Sequence, residues 1–127
     1  MNKKQTNNTS DYPELINHLR TIFDSDKAEN IVSINLEPVY GYSTYFLVLT
    51  ALSNVHLKKL TQDAISYLKT KGIYLQYLPN QLDLDSGWVV LDCPDLVVHI
   101  FTKEKREFYD LENLWKEAII IEDTILS

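Results

Sequence analysis

Two aspartates, Asp83 and Asp85, stand one residue apart in the stretch QLDLDSG. Paired carboxylates can hold magnesium for phosphoryl or nucleotidyl transfer. Such a site needs both groups on a rigid strand, facing one way, beside a loop whose backbone cradles phosphate. Here the pair falls in PNQLDLDSG, which reads as a loop, and the chain has only three glycines for a cradle. A solvated acidic pair is the plainer account. Gly41-Tyr42-Ser43-Thr44 is a weak match to a phosphate loop, and a tight turn between strands explains Gly41 equally well.

His99 lies in LVVHIF, pointing the same way as Val97 and Phe101. General acid–base work would require a carboxylate within hydrogen-bond reach and a cleft, and no nearby motif supplies a nucleophile. It reads as a structural or partly exposed strand histidine. His18, His56 and His99 share no ligand spacing, and Cys93, the single cysteine, has no Cys or His at metal-binding distance along the chain. No metal or other cofactor is therefore expected. Cys93 falls at a turn, where it is expected to be non-catalytic and open to solvent. Basic and aromatic residues alternate over Lys103–Tyr109, but Glu104, Glu107 and the adjoining Asp110 dilute them. Nucleic-acid binding through that segment is not expected.

Trp88 is the most informative single residue. It opens a strand beside Gly87 and the acidic loop. Tryptophan in such a place is either core or an exposed anchor of a protein interface. Asp92, Pro94 and Asp95 lie at the far end of the same hairpin.

The elements that position these residues follow from periodicity. Residues 1–10 are polar and read as a disordered tail, leaving one domain over residues 11–127. Asp11 and Pro13 suit a helix start, and Leu15, Ile16, Leu19, Ile22 and Phe23 form its apolar stripe. Asn30–Leu36 alternates as a strand, and Tyr45–Ala51 is apolar on both faces, as a central strand would be. Ser53 suits the N-cap of a helix carrying Leu57, Leu60, Ala64, Ile65 and Leu68, which Gly72 ends. Ile73–Leu78 reads as a third strand. Gly87–Cys93 and Leu96–Phe101, separated by Pro94 and Asp95, read as an antiparallel hairpin. A last helix begins near Thr102 or Lys103, with Phe108, Leu111, Trp115 and Ala118 on one face. The expected class is α/β (α+β), a single domain with a mixed sheet of about five strands flanked by helices. The second and third strands are the expected parallel pair.

A chain of 127 residues with net charge −6 is unsuited to a broad phosphate-binding surface. It remains suited to docking on a basic protein. The polar start, MNKKQTNNTS, has no apolar secretory stretch, and no apolar run is long enough for a membrane span. A cytoplasmic protein without membrane attachment is expected.

The C-terminal third carries a family pattern. W-V-V-L-D at Trp88–Asp92, D-L-V-V-H-I-F at Asp95–Phe101 and R-E-F-Y-D-L-E-N-L-W at Arg106–Trp115 strongly resemble, in order and spacing, the ribosomal silencing factor (Iojap-like) family. Lys27–Val32, Tyr45–Thr50, and Ser53 with His56 agree less tightly, so the resemblance covers roughly residues 27–118. Thr44 stands where the family usually has an aspartate. The family's T-G-T-S-D-R stretch appears as Thr50-Ala51-Leu52-Ser53-Asn54-Val55, which keeps the capping serine. The resemblance implies a nucleotidyltransferase-like fold without catalysis. It implies a factor that docks on the large ribosomal subunit through the universal protein L-fourteen, blocks subunit joining and represses translation when nutrients are short. On that reading Trp88, Val90, Asp92, Cys93, Pro94 and Asp95 form the partner-binding hairpin, with no sequence-specific contact to nucleic acid. Family members often form dimers, and the apolar tail Ile119–Leu126 is a candidate contributor. The alternative from the residues is a minimal nucleotidyltransferase using Asp83 and Asp85 with magnesium.

Overall fold

The computed structural model describes residues 3–36, 45–109 and 119–120. Helix α1 (Lys3–Ser25) docks by its apolar stripe, with Leu15, Ile16, Leu19 and Phe23 buried. It starts at Lys3, upstream of the expected cap at Asp11, and so takes in most of the stretch read as a tail. Strand β1 (Glu29–Asn35) follows, then β2 (Tyr45–Ala51) and helix α2 (Asn54–Thr70). Ser53 caps α2, its Oγ accepting the His56 N–H at 3.1 Å. At the other end Gly72 adopts φ +75°, and the N–H groups of Gly72 and Ile73 bond back to Lys69 and Leu68. That closure satisfies the last carbonyls of the helix.

Two expectations fail between α2 and the hairpin. Ile73–Leu78 forms no strand, and residues 81–86 form a short helix, α3 (Gln81–Ser86), rather than a loop. Strand β3 (Trp88–Cys93) then pairs antiparallel with β4 (Leu96–Thr102) across the expected Pro94-Asp95 turn. Asp95 takes φ +63°, a left-handed conformation that aspartate tolerates better than most residues. Helix α4 (Lys103–Tyr109) begins where expected. Leu111, Trp115 and Ala118, placed on its inner face by the sequence, lie outside the described residues, as does the side chain of Phe108.

The sheet order is β3-β4-β2-β1-β5, where β5 (Ile119–Ile120) is a two-residue strand beside β1. It is thus four full strands plus a short edge piece, and the fifth comes from the C-terminal tail rather than from Ile73–Leu78. The parallel pair is β2–β4, not the second and third strands as expected, because α2, α3 and β3 all intervene before the chain returns. The mixed α/β single-domain class stands.

Alternation gives the sheet two apolar faces. The inner face carries Leu47, Leu49, Ala51, Val89, Leu91, Cys93, Leu96, Val98 and Ile100, buried beneath α1 and α2. The outer face carries Ile34, Leu36, Val48 and Phe101, with Val32, Phe46 and Trp88 partly buried among them.

Candidate functional site

The two-residue turn sets the hairpin register, and the register assembles the site. Trp88 lies directly opposite Phe101, and Val90 opposite His99. Side chains of directly opposed and diagonal pairs on one face touch. Trp88 and Phe101 stack with ring centroids 5.1 Å apart and planes 21° from parallel. Phe46, from β2, closes the group from the other side, its ring 4.5 Å from that of His99.

His99 is only 7% exposed. Its Nδ1 accepts the indole N–H of Trp88 at 3.2 Å. An accepting Nδ1 carries no proton, so the neutral ring holds its proton on Nε2. Burial drives the pKa down from 6.5 to about 4 and keeps the ring neutral. Among the described residues, Nε2 is buried with no hydrogen-bond partner.

A corner holds Trp88 from the other end. Gly87 adopts φ +85° as the cap of α3, and a Cβ there would lie 2.9 Å from Thr102 Oγ1. The Thr102 N–H donates to the Gly87 carbonyl at 2.9 Å. Ser86 Oγ accepts the Trp88 N–H and donates to the Asp83 carbonyl, tying strand to helix. Only glycine fits both that dihedral and that space.

Of the residues assigned to the site from sequence, the structure brings Trp88, Val90 and Asp92 together on the outer face of β3, with Pro94 and Asp95 exposed at its tip. Val90 is 41% exposed, a large apolar group left open to solvent. Cys93 departs from the expectation. It points to the inner face at 5% exposure, and burial, then the Asp92 charge, raise its thiol to about 11. Position six of an alternating strand that starts outward at Trp88 must face inward, so Cys93 is core and lies outside the surface a partner can touch.

The candidate magnesium pair also sits differently from expectation. Asp83 and Asp85 lie two apart on α3, where side chains diverge around the helix. Asp83 Oδ2 accepts the Asn80 N–H at 2.9 Å while Asn80 Oδ1 accepts the Asp83 N–H at 3.0 Å, forming a capping box. Asp85 Oδ1 accepts from Gln81 Nε2 at 2.9 Å. Both carboxylates serve their own helix. Among the described residues, no group of three His, Cys, Asp or Glu side chains could hold a metal ion.

His56 has a structural role that the family pattern alone does not specify. Its Nδ1 accepts the Leu52 N–H at 2.8 Å, and its Nε2 reaches the Asp26 carbonyl at 2.6 Å. With both nitrogens used, it bolts the start of α2 to the turn after α1. The S-x-x-H spacing from Ser53 was the available signal, since a residue three beyond an N-cap lies over that cap.

These features define a small mixed α/β domain that presents an aromatic and acidic strand surface. The family described as "Ribosomal silencing factor during starvation" matches residues 9–126, so the chain belongs to that family. A ribosomal silencing factor of Halalkalibacterium halodurans is 28% identical over 109 residues, covering 86% of this chain and 92% of the relative. A mouse protein named "Mitochondrial assembly of ribosomal large subunit protein 1" is 27% identical, over 79% of this chain and 44% of its own length. A crystal structure of a Bacillus halodurans protein superposes with a TM-score of 0.67 at 26% identity, covering 84% of this chain and 94% of that one.

Proposed function

We propose that this chain silences ribosomes by binding. It docks on the large ribosomal subunit, through the basic protein L-fourteen, and so keeps the small subunit from joining and represses translation under nutrient limitation. Family membership over residues 9–126 carries the reading. The name of the mouse relative ties one homologue to the large subunit.

The docking surface is the outer side of the hairpin: Trp88 and Val90 as apolar contacts, and Asp92, Pro94 and Asp95 at the tip. Interfaces concentrate energy in a few aromatic anchors, and exposed acids beside them steer a basic partner. The net charge of −6 favours such a partner and disfavours naked RNA. No reaction is part of the proposal: Asp83 and Asp85 are spent on capping and bracing α3. Among the described residues no helix is long and apolar enough to cross a membrane, and the proposed place of action is the ribosome-bearing cytoplasm.

The test is a ribosome gradient. Co-migration with free large subunits, absence from joined ribosomes, and a fall in joined ribosomes when purified chain is added are the expected results. Equal co-migration with joined ribosomes would overturn the steric reading.

A further inference from the structure

We infer that His99 is a positioning residue for docking: it holds the Trp88 indole in the orientation that a partner meets. The inference rests on the docking role proposed above for Trp88.

Among the described residues, β3, which carries Trp88, is an edge strand with no strand on its far side. A half-buried indole there would ordinarily turn its N–H to water. Here the N–H is turned inward, donating to Nδ1 of His99 at 3.2 Å. The ring planes lie 29° apart, and Phe101 stacks on the indole from directly across the hairpin. With its polar edge taken by His99 and its face on Phe101, the indole has one favoured orientation.

The remaining geometry of His99 does not look like a device for stability. It sits among Phe46, Trp88 and Phe101, and its Nε2 is buried with no partner among the described residues. A buried unpaired polar atom is a net cost, and such exceptions in a native fold call for another reason. Packing alone would be served better by an apolar side chain. The feature unique to histidine here is an acceptor at Nδ1, aimed at the indole.

The distinguishing prediction is that stability and docking part company. His99→Phe should melt at or above the wild-type temperature while docking to purified large subunits weakens about fivefold to tenfold, the cost of leaving one anchor free to rotate. His99→Leu provides the same test where the Phe ring does not pack. The Trp88 indole N–H resonance, assigned by its loss in Trp88→Phe, should move in either variant. His99→Asn, whose Oδ1 lies near the Nδ1 position, should recover most of the docking. In a Trp88→Phe background, His99→Phe should cost nothing further.

Wild-type docking by both apolar variants, alongside impaired docking by Trp88→Ala, would overturn this inference and leave the docking reading intact. Additive losses in the double variant would overturn it too. A wild-type chain that binds no subunits would bring down the docking reading, and this role with it.

Discussion

The two faces of one sheet are built to different standards. On the inner face every buried side chain contributed by β2, β3 and β4 is aliphatic apart from Cys93, and α1 and α2 cover them. The one buried charged side chain on that side among the described residues, Arg20, reaches Ser33 Oγ at 3.1 Å and the Ile31 carbonyl at 3.2 Å. On the outer face the group around Trp88 is aromatic, with Trp88 and Phe46 partly buried over the buried Phe101, and it is built around an imidazole whose Nε2 has no partner among the described residues. The contrast repeats in the histidines. His56 satisfies both ring nitrogens and fixes two turns; among the described residues His99 satisfies one, and its bond goes to the Trp88 indole. The inner face is selected for packing. The outer face tolerates a cost that packing does not require.

The largest effect should come from the inner face. Leu60 is wholly buried under the sheet. Leu60→Ala should lower unfolding free energy by about 3 to 4 kcal/mol, through lost burial plus the cavity left behind. Denaturant unfolding measures the loss, and subunit binding by the fraction still folded should stay at wild-type affinity. Loss of affinity in that folded fraction would mean that the two faces are not separable.

Acid should find the outer face next. The folded-state pKa of His99 falls from 6.5 to about 4 because burial penalises the charged ring. The unfolded chain therefore binds a proton that the folded chain refuses between those values, so stability is full above pH 6.5 and declines as pH falls toward 4. The shift corresponds to a loss on the order of 3 kcal/mol across that window. His99→Leu should remove this component and flatten the pH dependence of unfolding. An unchanged slope would show that His99 is not the group that titrates. The Trp88 indole resonance should stay fixed through the same range until the ring charges near pH 4, when Nδ1 can no longer accept.

Trp88→Ala is the third step, about 2 kcal/mol or more of binding, roughly thirtyfold in affinity. Titration on purified large subunits reads it, with circular dichroism as the control for fold. A folded variant that binds normally would remove Trp88 from the docking surface and reduce the outer face to a second core.

Much of this contrast was legible in the sequence, for reasons that differ by residue. The hairpin followed from two alternating runs and a Pro-Asp turn, and its register from the turn length. That register already set Trp88 across from Phe101 and Val90 across from His99. The inward aim of Cys93 followed from the same alternation, but its place near a turn masked it. Ile73–Leu78 alternates in the structure too, with Ile73 and Leu75 packed against the core and Tyr74, Tyr77 and Leu78 exposed. It is not a strand because it bonds to no sheet strand: among the described residues the sheet ends at β3, whose outer edge this segment does not join. The short helix at residues 81–86 had a readable start in Asn80 with Asp83 three residues on, outweighed by the turn-forming residues around it. The His99–Trp88 bond was the least legible feature, because rotamer and tautomer follow from packing that no local pattern encodes.

The smallest effect sharpens the comparison most. Trp88 is held by His99 on one side and by the α3 corner on the other, through Gly87 and the Ser86 hydroxyl. Asn80→Ala removes half of the capping box and should cost about 1 kcal/mol, since Asn80 Oδ1 satisfies a helix N–H that would otherwise turn to water. The corner itself should survive, because the Thr102 N–H still donates to the Gly87 carbonyl and Gly87 keeps its left-handed turn. Docking should therefore stay within about twofold of wild type, against the larger loss expected for His99→Phe. The check is to measure melting and subunit binding on both variants together. If Asn80→Ala loses as much docking as His99→Phe, the helix corner orients Trp88, and the histidine merely fills space beside it.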